Sequence, residues 1–217
     1  MTTFSVPSNR GELTSLGLGS SNTFQVRQLY ELAEWFGFET RNKYQISDGS
    51  GQLIAFAAEQ QKGLLGFLFR MVLGHWRSFS VHIYDNQRRI VFIAEHPFRF
   101  FFQRLEVRKS DGGPLGAIQQ RFSIFTKRFD VENERGQVIF EVRSPIWKLW
   151  TFEFRRAGRV AAAVRKRWSG GLTEVFTDKD NFSVEFAAET NRLEDRALVL
   201  ASAFFIDLQY FETKAGH

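Results

Sequence analysis

Six cations, Arg155, Arg156, Arg159, Arg165, Lys166 and Arg167, fall within the fourteen residues from Arg155 to Trp168, a stretch with no acid. Guanidinium and ammonium groups at this density can hold phosphate. Each cation beside an anionic bilayer contributes on the order of 1 kcal/mol, falling as salt rises. The residues between them alternate as strand residues do, which would spread the charges over an outer sheet surface. A solvated strand face accounts for the same residues equally well. Arg88, Arg89, Arg99, Arg104, Arg108 and Lys109 add to the balance, and the chain carries a net charge of +5 with a pI of about 9.7. Anionic partners follow from that balance. Nucleic acid is not expected, because no recognition helix or stacking platform accompanies the charge.

Reaction chemistry finds little support. The chain has no cysteine, which excludes disulfides, thiolate metal sites and cysteine nucleophiles. His75, His82, His96 and His217 lack ligand spacing and read as ordinary strand or surface residues. Ser169 follows Trp168 and precedes two glycines, with no base marked out to activate it. The glycines of LGLGSSN, from Leu16, lack the lysine of a phosphate loop. A bond-making or bond-breaking enzyme is therefore not expected, and no cofactor is required. Asp207 stands apart as an acid inside an apolar run, where it needs a charge or hydrogen-bond partner such as an inward Arg or strand amides. A structural role ranks first for it, a lipid or ion pathway second.

That run is the C-terminal segment 192–211, RLEDRALVLASAFFIDLQYF, whose composition is helical and whose surface is apolar on nearly every side. Such a helix must be surrounded by protein or by lipid. The apolar part stops at Asp207, short of the roughly 20 residues that a bilayer crossing needs. It is expected to be buried within its own fold.

What surrounds it is a repeated theme of strand, polar turn and strand. Five copies run from Tyr44 to Glu59, Phe79 to Pro97, Leu105 to Phe122, Phe129 to Pro145 and Trp150 to Trp168. Their turns lie at Asp48–Gly51, Asp85–Gln87, Asp111–Gly113, Asn133–Gly136 and Ala157–Gly158. Alternating apolar residues give each strand one buried face, and Asp, Asn and Gly supply the turn conformations. The links Phe98–Phe102 and Phe122–Arg128 are also strand-like. With Leu172–Phe186 these make about twelve strands, and 25 Phe against 2 Met suits a sheet better than a helical bundle. A sheet this wide curls to hide its edges, and a closed barrel of that size needs a filling that the C-terminal helix can supply.

The fold expected is mainly β: a closed antiparallel barrel of about twelve strands around a C-terminal helix, in one domain, 22–217. Before it, 1–21 reads as a flexible tail. From Asn22, the spacing of Val26, Leu29, Leu32, Ala33 and Phe36 predicts an amphipathic helix ended by Gly37. The N-terminus lacks a basic region followed by an apolar one, so no secretory signal is expected and the cytoplasm is the expected compartment.

Three segments in order, GFETRNKYQI (Gly37–Ile46), RKRWSGGLTEVFTDKDNFSVEF (Arg165–Phe186) and FFIDLQYFE (Phe204–Glu212), resemble the phospholipid scramblase family. The resemblance spans about Leu32 to Glu212. It implies the tubby-like barrel that this family shares with LURP-one-related proteins. The same segments also read structurally, with Trp168 as the buried anchor of a turn. Family members carry a proline-rich region and a cysteine cluster for palmitoylation, both missing here, which weakens any stable membrane anchor.

In that family the acidic stretch after FTD is proposed to bind calcium in a loop of EF-hand-like length. Here Asp178, Asp180 and Glu189 fall at positions 1, 3 and 12. Phe182 and Phe186 offer no oxygen, Ser183 replaces the loop glycine, and Lys179 adds a positive charge. Phe182, Val184 and Phe186 alternate as a strand does, so a polar turn leading into a strand is preferred, with a weak surface site at Asp178 and Asp180 second. The resemblance thus implies a protein that binds anionic phospholipid membranes, peripheral at the inner membrane face, with calcium-responsive lipid movement as its fuller form. The alternative is a soluble tubby-like module for a small apolar ligand or a protein partner.

Overall fold

The computed structural model describes residues 10–29, 42–60, 78–99, 101–124, 126–145, 150–166 and 181–211. Among these, twelve strands close into one antiparallel barrel: β1 (Thr23–Leu29), β2 (Lys43–Asp48), β3 (Leu53–Gln60), β4 (Phe79–Asp85), β5 (Ile90–His96), β6 (Arg104–Lys109), β7 (Pro114–Gln120), β8 (Thr126–Asn133), β9 (Val138–Pro145), β10 (Thr151–Arg156), β11 (Arg159–Lys166) and β12 (Asn181–Phe186). Each strand pairs with its sequence neighbours, and β1 pairs with β12 to close the ring. The pleat sorts the side chains. In β9, Phe140, Val142 and Ser144 turn inward while Glu141 and Arg143 face water.

Four of the five hairpins share one device. Asp48, Asp85 and Asn133 each accept, on one side-chain oxygen, the amides two and four residues on, all at 2.9–3.0 Å. Asp111 accepts the Gly113 amide at 2.8 Å. The residue that closes the turn takes a positive φ at Gly51, Gly112, Gly136 and Gly158, and Arg88 does the same at 63°. The strand register shifts beside every one of these turns. In the first four hairpins that combination is a type I turn followed by a bulge, which Asp or Asn with Gly encodes locally; the β10–β11 turn has positive φ at both central residues, Ala157 at 49° and Gly158 at 80°, and is a two-residue type I′ turn.

The lumen is filled by α2 (Leu193–Ile206), whose residues from Asp195 to Ile206 are all buried, followed by one wide π-helical turn, Asp207–Phe211. Phe204 packs on Tyr44 and Phe182, and Phe205 on Phe129 and His96. The barrel wall presses closest at Gly116 of β7. A Cβ there would lie 2.2 Å from the Glu132 carbonyl oxygen and 2.9 Å from Leu198, so only glycine fits.

Three expectations are corrected. The segment expected to be helical from Asn22 is β1 over Thr23–Leu29, with Phe24 and Val26 buried; residues 30–41, which include Leu32, Ala33, Phe36 and Gly37, lie outside the described residues. Val26 and Leu29 suit a helix locally, but β2 and β12 offer hydrogen-bond ladders on both edges, and that non-local gain decides the outcome. The expected flexible tail is ordered in its described part. A short helix, α1 (Arg10–Ser15), leads into Leu16 and Leu18, and these two with Leu13 are buried against the core. The link from Phe98 to Phe102 is not a strand where described, and β8 starts only at Thr126.

Antiparallel order gives the barrel two unlike ends. One carries the five hairpin turns, α1 and the start of α2. The other carries the connections between hairpins and the C-terminal end of α2.

Candidate functional site

The basic stretch maps to β10 and β11, but it does not form one outward face. Arg155 ion-pairs with Glu153 at 2.5 Å, and Arg165 pairs with Glu185 of β12. Arg156 reaches over the hairpin end to Asp195 in the first turn of α2, at 2.5 Å, and its guanidinium lies 4.5 Å from the Phe140 ring centre. Arg159 is exposed opposite Arg156. Lys166 points the other way, into the barrel. Arg167 lies outside the described residues, as does Trp168. The acids that answer the charge come from residues two positions back, from the next strand and from the helix, which is why a run without acid looked unopposed.

Two of these arginines, with Arg143 of β9, border an open cleft of about 640 Å³ at the hairpin end, lined by Val138, Phe140, Arg143, Arg155, Arg156 and Gly158. Arg143 pairs with Glu141 at 2.9 Å. Exposed pairs of this kind are worth roughly 0–1 kcal/mol, so a phosphate could displace Glu141 or Glu153 at little cost. Asp195 is only 4% exposed, and Arg156 is correspondingly harder to recruit.

The other polar constellation lies inside the far end of the barrel. Lys166 Nζ donates to Asp207 Oδ1 at 3.0 Å, and Tyr44 Oη donates to Asp207 Oδ2 at 2.9 Å. Both charged side chains are nearly closed to water, at 6% and 3% exposure. The expected partner for Asp207 is thus found, as a lysine and a tyrosine rather than an arginine. Tyr44 carried no signal in the sequence beyond its strand position. The pair borders a small cleft formed with Phe152, Val164, Phe182 and Ile206. Buried, mutually neutralised and hydrogen-bonded, it holds the end of α2 to β2 and β11.

Asp178 and Asp180 lie outside the described residues, and Glu189 sits exposed in the turn after β12. The preferred reading of this segment was a strand, and Asn181–Phe186 is one. Five residue steps at about 3.3 Å put roughly 17 Å between its ends, so Glu189 does not fold back to close a loop that includes Asn181. His96 is fully buried and stacked on Phe79, with ring centres 4.7 Å apart. His82 has its pKa lowered by burial, which the Glu95 charge opposes. No three potential metal-binding side chains cluster among the described residues.

A closed twelve-stranded antiparallel barrel wrapped around an apolar C-terminal helix is the tubby-like architecture. A protein from Arabidopsis thaliana of known crystal structure shares it, with a TM-score of 0.50 over 90% of this chain and 96% of that one at 9% identity. The family is narrower than the fold. A model of the scramblase family matches residues 1–213, and the chain belongs to that family. It is 32% identical over 206 residues to phospholipid scramblase 2 of Bos taurus, covering 88% of this chain and 69% of that protein. It is 32% identical over 202 residues to phospholipid scramblase 1 of Mus musculus, covering 86% and 60%. A phospholipid scramblase family protein of Schizosaccharomyces pombe is 23% identical, covering 88% and 59%.

Proposed function

We propose that this protein binds the surface of phospholipid membranes, peripherally at the inner face, and promotes movement of phospholipid between leaflets without making or breaking bonds. Membership of the scramblase family along nearly the whole chain carries this reading. The lumen is filled by α2, so a lipid headgroup has no polar channel through the barrel. Movement would proceed along the outer wall or through a bilayer disturbed beside it. Asp178 with Asp180 is a candidate calcium site that would make the activity ion-responsive.

Reconstitution tests this directly. Liposomes containing a headgroup-labelled lipid are treated with dithionite, with and without calcium. Bleaching beyond the outer-leaflet fraction supports transport, and bleaching equal to protein-free liposomes ends that reading. No helix among the described residues is long and apolar enough to cross a membrane.

A further inference from the structure

The connection end of the barrel exposes large apolar side chains that a strand or core does not use. Phe98 is 41% exposed, Phe101 81%, Phe102 51%, Phe122 73% and Ile124 66%, and Trp150 at the start of β10 adds 39%. Single exposed rings are ordinary, but a contiguous set marks a contact surface. The links that carry Phe101, Phe102 and Phe122 are joined by hydrogen bonds. Gln103 and Gln120 exchange hydrogen bonds, the Gln103 amide donating to Gln120 Oε1 at 2.9 Å and the Gln120 amide to the Gln103 carbonyl at 2.8 Å. Gln119 Nε2 donates to the Phe102 carbonyl at 3.2 Å. The loop before β6 is thereby tied to the loop after β7, and Phe101, Phe102 and Phe122 stand side by side.

Two further observations say what covers them. Phe102 takes a φ of 50°, a left-handed conformation that a bulky residue adopts only under constraint, with its ring outside the core. The rings stand on the links before β6 and after β7, exposed by 41–81%. The stretches 97–104 and 120–128 hold five cations and no acid, but Lys127 turns inward, its buried Nζ lying 5.5 Å from the Phe152 ring centre, and Arg128 Nε is buried as well. Asp130 and Glu132 engage Arg104 and Arg121 from β8, and Arg99 stands exposed among the rings. Exposed aromatic rings around the exposed Arg99 match the interfacial zone of a bilayer, where rings sit at headgroup depth and a cation meets phosphate.

We infer that the protein docks end-on, inserting Phe98, Phe101, Phe102, Phe122 and Ile124 into the headgroup region of a phospholipid bilayer. The basic stretch of β10 and β11 is not the primary contact. This inference rests on the membrane reading above and specifies the surface that would carry it.

Vesicle flotation with phosphatidylcholine alone and with phosphatidylcholine plus phosphatidylserine provides the test, on wild type and on a Phe101→Ser/Phe102→Ser/Phe122→Ser/Ile124→Ser variant checked for an unchanged melting profile. Partitioning of the variant is expected to fall about tenfold or more, because each lost apolar group removes buried area. The chain has no cysteine, so Phe101→Cys and Ser50→Cys each accept one environment-sensitive dye, at the connection end and at the hairpin end. The dye at 101 should brighten with vesicles and the dye at 50 should not. If wild type binds neither vesicle, the membrane reading and this inference fall together. If wild type binds while the four-residue variant binds equally and the dye at 101 stays dark, the end-on inference falls alone. Loss of a concentration-dependent dimer in the variant, without vesicle binding, would reassign the patch to self-association and overturn it.

Discussion

The two ends of the barrel are built on opposite principles. At the hairpin end every turn is short and capped by its own Asp or Asn where the sequence offers one, and α1 folds its leucines onto the core. Arg196 locks that end: it donates to the carbonyls of Leu18, Thr190 and Ser21 and to Asn22 Oδ1 at 2.5–2.8 Å, and lies 4.9 Å from the Phe186 ring centre. At the connection end the described rings Phe98, Phe101, Phe102 and Phe122 face water, while polar groups are hidden inside as the Lys166–Asp207–Tyr44 set. Polar closure at one end secures the plug. Apolar exposure at the other leaves a surface for something outside the molecule. A barrel that needed only stability would have finished both ends alike.

Among the polar groups, removing Arg196 should have the largest effect. Burial pulls its pKa below the ordinary arginine value, yet four oxygen acceptors hold the cation in place. Arg196→Met strands those acceptors, and a loss of about 4 kcal/mol is expected, or roughly 10 °C in thermal melting. A melting shift of only a degree or two would show that the hairpin end is not where α2 is secured. Asp207→Ala should follow at about 3 kcal/mol, since it leaves the Lys166 ammonium buried without its carboxylate. Lys166→Met combined with Asp207→Leu should recover most of that loss in urea unfolding, as apolar replacement of a buried pair often does. A double variant no better than the single would mean that Asp207 is held chiefly by Tyr44.

How legible each end was follows from where its information lies. The hairpin turns were readable because Asp48-Gly49, Asp111-Gly112-Gly113 and Asn133 to Gly136 encode their conformations within four or five residues. The plug was readable because α2 has no polar stripe. β1 was misread: Phe24 and Val26 alternate with Thr23, Gln25 and Arg27 as strand residues do, but Val26 and Leu29 also fit helical spacing, and pairing with β2 and β12 decides between them. The counter-ions of the basic stretch were hidden for the same reason, since Arg156 meets Asp195 and Lys166 meets Asp207 across about forty residues of sequence. The resemblance through Phe204–Glu212 named the family, but only coordinates could show which way Lys166 turns.

The hairpin turns also give the comparison a pH axis. Asp85 is nearly closed to water, and burial alone would raise its carboxyl pKa. The Arg89 and Gln87 amides and the Arg89 side chain more than offset that, so the net shift is below the ordinary value of 3.8. A depressed carboxylate pKa gives stability that is present above the unfolded value and lost as pH falls through the folded one. Wild type should therefore lose stability progressively below about pH 4, and Asp85→Asn, lower by about 2 kcal/mol at neutral pH, should show a flatter acid limb. Equal limbs would mean that this turn does not report on acid unfolding. Arg155→Ala comes next at about 0.5 kcal/mol, because its pair with Glu153 is half exposed; added salt should remove even that.

The smallest effect on stability should come where the largest apolar surface is lost. Phe101→Ser and Phe122→Ser remove rings that are 81% and 73% exposed, so folding gives up almost no buried area and the change should stay within about 0.5 kcal/mol. Phe129→Ala, by contrast, empties a site packed by Phe152, Phe154 and Phe205 and should cost about 3–5 kcal/mol. Urea titration of the three variants in parallel measures the contrast. Losses above about 1 kcal/mol for Phe101→Ser would mean that the connection end covers part of the core, and its exposed rings would then belong to the fold and not to a partner.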